Sequence, residues 1–180
     1  MKKTLVIIFL LLVSCTPRKT PPPTPTSIPA TMPDDFRISY LWTSGAIEYH
    51  YRYTISLEAD AGGEISFMPH YPSEDPPVWV EQFPVGENLL PDFFEKLYNA
   101  GVFAQSLIQA EEIPAGGHTS QMSIVAYGNK YEIPYQFDDP ENEKAIYALY
   151  DEIESLIPQE VMDSFMAQRE TYIESYEGEW

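Results

Sequence analysis

The chain has 180 residues, 28 acidic against 10 basic, and a formal net charge of −18. From Asp34 onward the balance is 6 basic against 28 acidic residues, or −22. That surface repels the phosphates of nucleic acid, which bind through Lys and Arg, and it repels anionic lipid headgroups. With one cysteine, Cys15, no internal disulfide can form, so a core of ordinary domain size must supply the stability.

Met1-Lys2-Lys3 is a short basic start, followed by nine apolar residues from Leu5 to Val13. A membrane-spanning helix needs about 20 apolar residues, so this run fits the core of a secretory signal instead. It ends in Leu12-Val13-Ser14-Cys15: an aliphatic residue, a tolerated residue, a small residue, then the sole cysteine. These four residues resemble the lipobox of bacterial lipoproteins. The resemblance covers the first fifteen residues only. It implies a diacylglycerol thioether on Cys15, cleavage between Ser14 and Cys15, and acylation of the new α-amino group by a fatty acid such as palmitate. Two or three acyl chains hold a protein firmly at a bilayer, where one does so marginally. The partner so implied is a membrane, inner or outer, with the domain outside the cytoplasm.

Residues 16–33 hold seven prolines among Thr and small residues. Proline favours polyproline II geometry at about 3.1 Å per residue, which makes a semi-rigid spacer. The organisation expected is a signal over 1–14, a lipidated Cys15 and linker over 15–33, and one acidic domain over 34–180.

Within the domain, Phe36, Ile38, Tyr40 and Trp42 alternate with Arg37, Ser39, Leu41 and Thr43 and predict a first strand with one apolar face. Tyr49, Tyr51, Tyr53, Ile55 and Leu57 predict a longer second strand, with the three tyrosines on one face. Asp60-Ala61-Gly62-Gly63 predicts a turn, Ile65 and Phe67 a third strand, and Val78 to Phe83 a fourth after a Pro-rich loop. A helix opening at Pro91 carries Phe93, Phe94 and Leu97 and stops at Gly101. Met122 to Ala126 and Lys130 to Phe137 predict a hairpin about Gly128-Asn129. Asp139-Pro140 caps a helix with the stripe Ile146, Leu149, Tyr150, Ile153, and after Pro158 a last helix carries Val161, Phe165, Arg169 and Tyr172. The fold class expected is α+β: a mainly antiparallel sheet of about six strands with three helices on one face.

No sequence motif carries chemistry. GxSxG, SxxK, P-loop and HExxH patterns are missing from the chain, and no cofactor or metal is expected. His50 and His70 fall near the open end of the second hairpin and read as cross-strand or surface residues; His118 stands apart. Glu58, Asp60 and Glu64 surround a turn, where acidic residues serve local hydrogen bonding more often than calcium. Aromatics are the suggestive excess, at 13 Tyr, 9 Phe and 3 Trp. Most belong to a sheet core. Trp79, beside Pro76-Pro77, is the first candidate for a binding residue, and Trp42 and Tyr49, flanking the first turn, are second candidates. Composition thus points to a non-catalytic binding or scaffold module with a protein or glycan partner. The alternative is a small envelope hydrolase using acidic residues, with glycans as one substrate class.

Overall fold

The computed structural model describes residues 29–58, 62–104, 116–134 and 140–177. Cys15 and linker residues 16–28 lie outside these, as do Asp60, Tyr135, Phe137 and Asp139. Six strands, β1 (Arg37–Thr43), β2 (Arg52–Glu58), β3 (Gly62–Met68), β4 (Trp79–Phe83), β5 (Thr119–Ala126) and β6 (Asn129–Ile133), form one antiparallel sheet in the order β4-β3-β2-β1-β5-β6. Three helices, α1 (Leu89–Asn99), α2 (Pro140–Glu154) and α3 (Gln159–Glu177), cover one face, and the chain is α+β. Among the described residues no helix is long and apolar enough to cross a membrane.

Period-two alternation builds the helix-side face of the sheet. Ile38 pairs with Leu57 and Ile124, and Tyr40 pairs with Ile55 and Met122. All six are at most 2% exposed. The next row is aromatic across four strands: Trp42 opposite Tyr53, Tyr53 opposite Phe67, Phe67 opposite Trp79. The opposite face is mixed and partly exposed, with Ser39, Ser56 and Glu64 in one row and Leu41, Thr54, Ser66 and Val80 in the next.

Each helix docks through its predicted stripe. Leu90, Phe93, Phe94 and Leu97 of α1 are buried, and Phe94 meets Phe36 edge-to-face at 5.3 Å. Gly101, at φ 74°, ends α1 in a left-handed turn, and Val102 donates its N–H back to Leu97. From α3, Phe165 stacks on Phe67 at 5.2 Å. A core aromatic of this kind contributes about 3–5 kcal/mol against alanine.

Several expectations shift in the structure: α1 opens at Leu89, with Pro91 at its third position, and β6 ends at Ile133. The second strand begins at Arg52, not Tyr49, because Ser44 and His50 close the preceding loop locally: Tyr51 donates its N–H to Ser44 Oγ at 3.0 Å, and His50 Nδ1 lies 2.8 Å from the Gly45 carbonyl. The three tyrosines therefore do not share one strand face. The β5–β6 turn is Tyr127-Gly128, one residue earlier than read, since Ala126 pairs with Asn129. Both turn residues have positive φ, 54° and 72°, as a two-residue hairpin requires. Asp35 compensates the strain at Tyr127: its carboxylate accepts the Tyr127 N–H at 2.9 Å and the Gly128 N–H at 2.6 Å. The Tyr127 hydroxyl in turn donates to the carbonyls of Pro29, at 2.7 Å, and Thr31. The end of the linker is thereby clasped at one end of the sheet.

Candidate functional site

Strand directions divide the sheet into two ends. The clasped linker, the β5–β6 turn and the first residues of β1 lie at one. The loop between β1 and β2, the loop between β3 and β4, and residues 116–118 lie at the other, where β1 ends and β5 begins. All three histidines are at this far end. His50 stacks on Tyr71 at 4.6 Å, and His70 meets Tyr71 edge-on at 5.8 Å. His118 stacks on Trp42 at 5.7 Å. Tyr71 ties the two loops together by donating to the Ile47 carbonyl at 2.8 Å. Among the described residues no group of three or more His, Cys, Asp or Glu side chains converges as a metal site would need.

Where the aromatic row meets the helices, one carboxylate enters the seam. Glu154, the last residue of α2, accepts a hydrogen bond from the Tyr40 phenol, and its charge also bears on the Tyr53 phenol. Tyr40's hydroxyl also lies 2.8 Å from Ser120 Oγ. Burial first, then the neighbouring Glu154 carboxylate, pushes the phenols of Tyr40 and Tyr53 well above the ordinary tyrosine range. Burial does the same to Tyr150, whose ring lies 5.2 Å from Tyr40. The Tyr150 hydroxyl is buried and has no hydrogen-bond partner among the described residues.

Across the row, α3 brings Arg169. Its guanidinium lies over the Tyr51 ring at 4.7 Å and donates to the Tyr49 carbonyl. Burial lowers its pKa from the ordinary value. A cation on an aromatic face with a backbone acceptor is a clamp between α3 and the β1–β2 loop.

The candidate binding residues divide by what holds them. Trp79 is the first residue of β4, half-buried, parallel to Phe67 at 5.8 Å and Phe165 at 6.4 Å, with Tyr172 against it edge-on. It supports α3. Trp42 is half-buried between Tyr53 of β2, at 5.1 Å, and His118, which immediately precedes β5, so neighbouring rings occupy its faces. Tyr49 contributes its carbonyl to Arg169 and meets His70 edge-on at 6.3 Å. The structure brings Trp42 and Tyr49 to the same end of the sheet, with Trp79 in the same row as Trp42. Glu154 was not a candidate in sequence, yet it had a signal: it stands four residues after Tyr150, inside an apolar stripe where a carboxylate needs a partner.

On the outer side of the helices, a shallow cavity of about 390 Å³ separates α1 from α2, lined by Ala100, Ala145, Ala148 and Leu149. The Lys96–Glu152 ion pair, at 2.7 Å, crosses it. No protein-family model matches the chain, and no curated protein matches it.

Proposed function

We propose that the protein is a lipid-anchored component of the bacterial cell envelope, with an acidic domain that works as a binding or scaffold module outside the cytoplasm. The observation that carries this reading is Leu12-Val13-Ser14-Cys15, which places the only cysteine at the lipidation position, directly before a proline-rich spacer. The charge of the domain supports a role held away from the bilayer surface. Intact-mass measurement of protein extracted from membranes tests it. The expected mature chain begins at Cys15 and carries acyl mass, and Cys15→Ser releases the protein from the membrane fraction. A mature chain that retains Ser14, or one without lipid, defeats the reading.

A second reading, a small envelope hydrolase acting on glycans, is favoured by one observation: Glu154 is a carboxylate set among Tyr40, Tyr53 and Ser120 at the edge of the seam. Hydrolysis of a glycan panel by the wild type that vanishes in a folded Glu154→Gln variant would establish it in place of the binding role.

A further inference from the structure

The two edges of the sheet are defended differently. On β6 the solvent face carries Lys130 and Glu132, ion-paired at 2.5 Å, which is how an edge is kept from pairing with another chain. The solvent face of β4 carries Val80 and Gln82, and Val78 precedes the strand. Val78 is 51% exposed and Val80 52%; with Ile47 they are the exposed large hydrophobics among the described residues. Around this edge the charges are acidic. Glu81 lies in the middle of β4 and is exposed, Glu64 is the cross-strand neighbour of Gln82, and the exposed Glu74 and Asp75 end the turn before Pro76-Pro77.

We propose that the β4 edge is a docking site for a basic, extended polypeptide segment, which adds to the sheet as a seventh strand. Among the described residues β4 has a strand partner on one side only, so its outer side offers backbone donors and acceptors; Val78 and Val80 supply apolar contact on one face, and Glu81 supplies charge on the other. The recognised segment alternates apolar residues, set beside Val80, with Lys or Arg set beside Glu81. A second copy of this chain is disfavoured as occupant. Symmetric antiparallel pairing of two β4 strands about their centre sets Glu81 against Glu81, and like charges directly opposite destabilise a pair. The −22 charge of the domain adds repulsion between copies and attracts a cationic chain.

The inference rests on reading the domain as a binding module, and not on the lipid anchor. The test uses the full chain in detergent with three synthetic seven-residue peptides: one alternating Lys and Val, one alternating Glu and Val, and the Lys/Val peptide with its central valine replaced by proline. Calorimetry or fluorescence anisotropy should show the Lys/Val peptide binding at least about tenfold tighter than either other peptide, since strand geometry and charge are both required. Val80→Lys and Glu81→Lys, each at an exposed site and each checked for unchanged thermal unfolding, should weaken binding about fivefold or more. Glu132→Lys on β6 should not. Equal binding of the proline peptide would mean charge attraction alone and overturns the proposal. So does indifference to both β4 substitutions, or no binding at all. If the Cys15 mass is as expected and the peptides still fail, the docking site falls and the anchor stands.

Discussion

Tyr40 and Glu154 stand 114 positions apart in the chain, and the phenol of one donates a hydrogen bond to the carboxylate of the other. Tyr40 is fully buried in the central strand, so this bond fixes the end of α2 over the sheet. Tyr40→Phe keeps the ring and removes the donor. It should cost about 1–3 kcal/mol, the range for a lost hydrogen bond to a charged group. The Tyr40→Phe, Glu154→Leu double variant should lose less stability than the sum of the two single changes. Urea unfolding of the four proteins in this cycle gives the coupling, and strict additivity would show that the pair does not interact.

The same seam predicts alkaline sensitivity. Tyr40, Tyr53 and Tyr150 all ionise less readily in the folded chain than at the ordinary value of 10.0. Their contribution is therefore complete below pH 10.0 and is lost as pH rises from there toward the folded values. Unfolding midpoints measured from pH 8 to about 11 should hold level at first and then fall. Tyrosine absorbance should show these phenols ionising together with unfolding, not before it.

Tyr150 offers a change in the opposite direction. Its buried hydroxyl has no partner among the described residues, so Tyr150→Phe removes a desolvated polar group and keeps the ring. The variant should be unchanged or up to about 1 kcal/mol more stable, and its loss of stability above pH 10 should be shallower. A loss beyond about 1 kcal/mol in chemical denaturation would mean that the hydroxyl is satisfied after all.

Gly63 and Phe83 form a size-matched pair across β3 and β4. A Cβ on Gly63 would stand 2.3 Å from the Phe83 ring, so the ring must move to admit it. Gly63→Ala should cost about 1–3 kcal/mol through overpacking, and Phe83→Leu should recover part of it in the double variant. Thermal denaturation of the set decides whether the two positions compensate.

Trp79→Ala separates packing from recognition at the first binding candidate. With Phe67, Phe165 and Tyr172 around the indole, the loss should be about 3 kcal/mol, at the low end for a core aromatic because the residue is only half-buried. A change under about 0.5 kcal/mol would return Trp79 to the surface and to the list of ligand-binding residues.

The elements were legible where one period ran without interruption. Ile38 to Trp42, Tyr53 to Leu57 and Ile146 to Ile153 each gave their element and its buried face, and the hairpin order gave the antiparallel sheet. Boundaries failed where side chains close a loop on the backbone, as Ser44 and His50 do before β2, because such bonds leave no periodic trace. The turn at Tyr127 was displaced for a similar reason. A tyrosine in the left-handed region is costly alone and is tolerated when Asp35, 92 residues earlier, accepts its N–H. The seam at Glu154 was partly legible, since a carboxylate within an apolar stripe asks for partners. Which partners answer depends on strand order. The binding candidates rest on residue type, and type alone does not distinguish an aromatic with a free face from one stacked between neighbours.

The clasp of Asp35 and Tyr127 on the linker has a mechanical meaning. A pull on residues 29–35 passes directly into β1, which lies inside the sheet with β2 and β5 on its two sides. If the opposing grip is at the far end of the sheet, tension runs parallel to the strands. Rupture then requires sliding β1 against two full ladders at once, instead of peeling bonds one by one from an edge. The first contacts to yield should be the Tyr127 phenol and the Asp35 carboxylate, giving the tether some slack before the sheet itself bears the force.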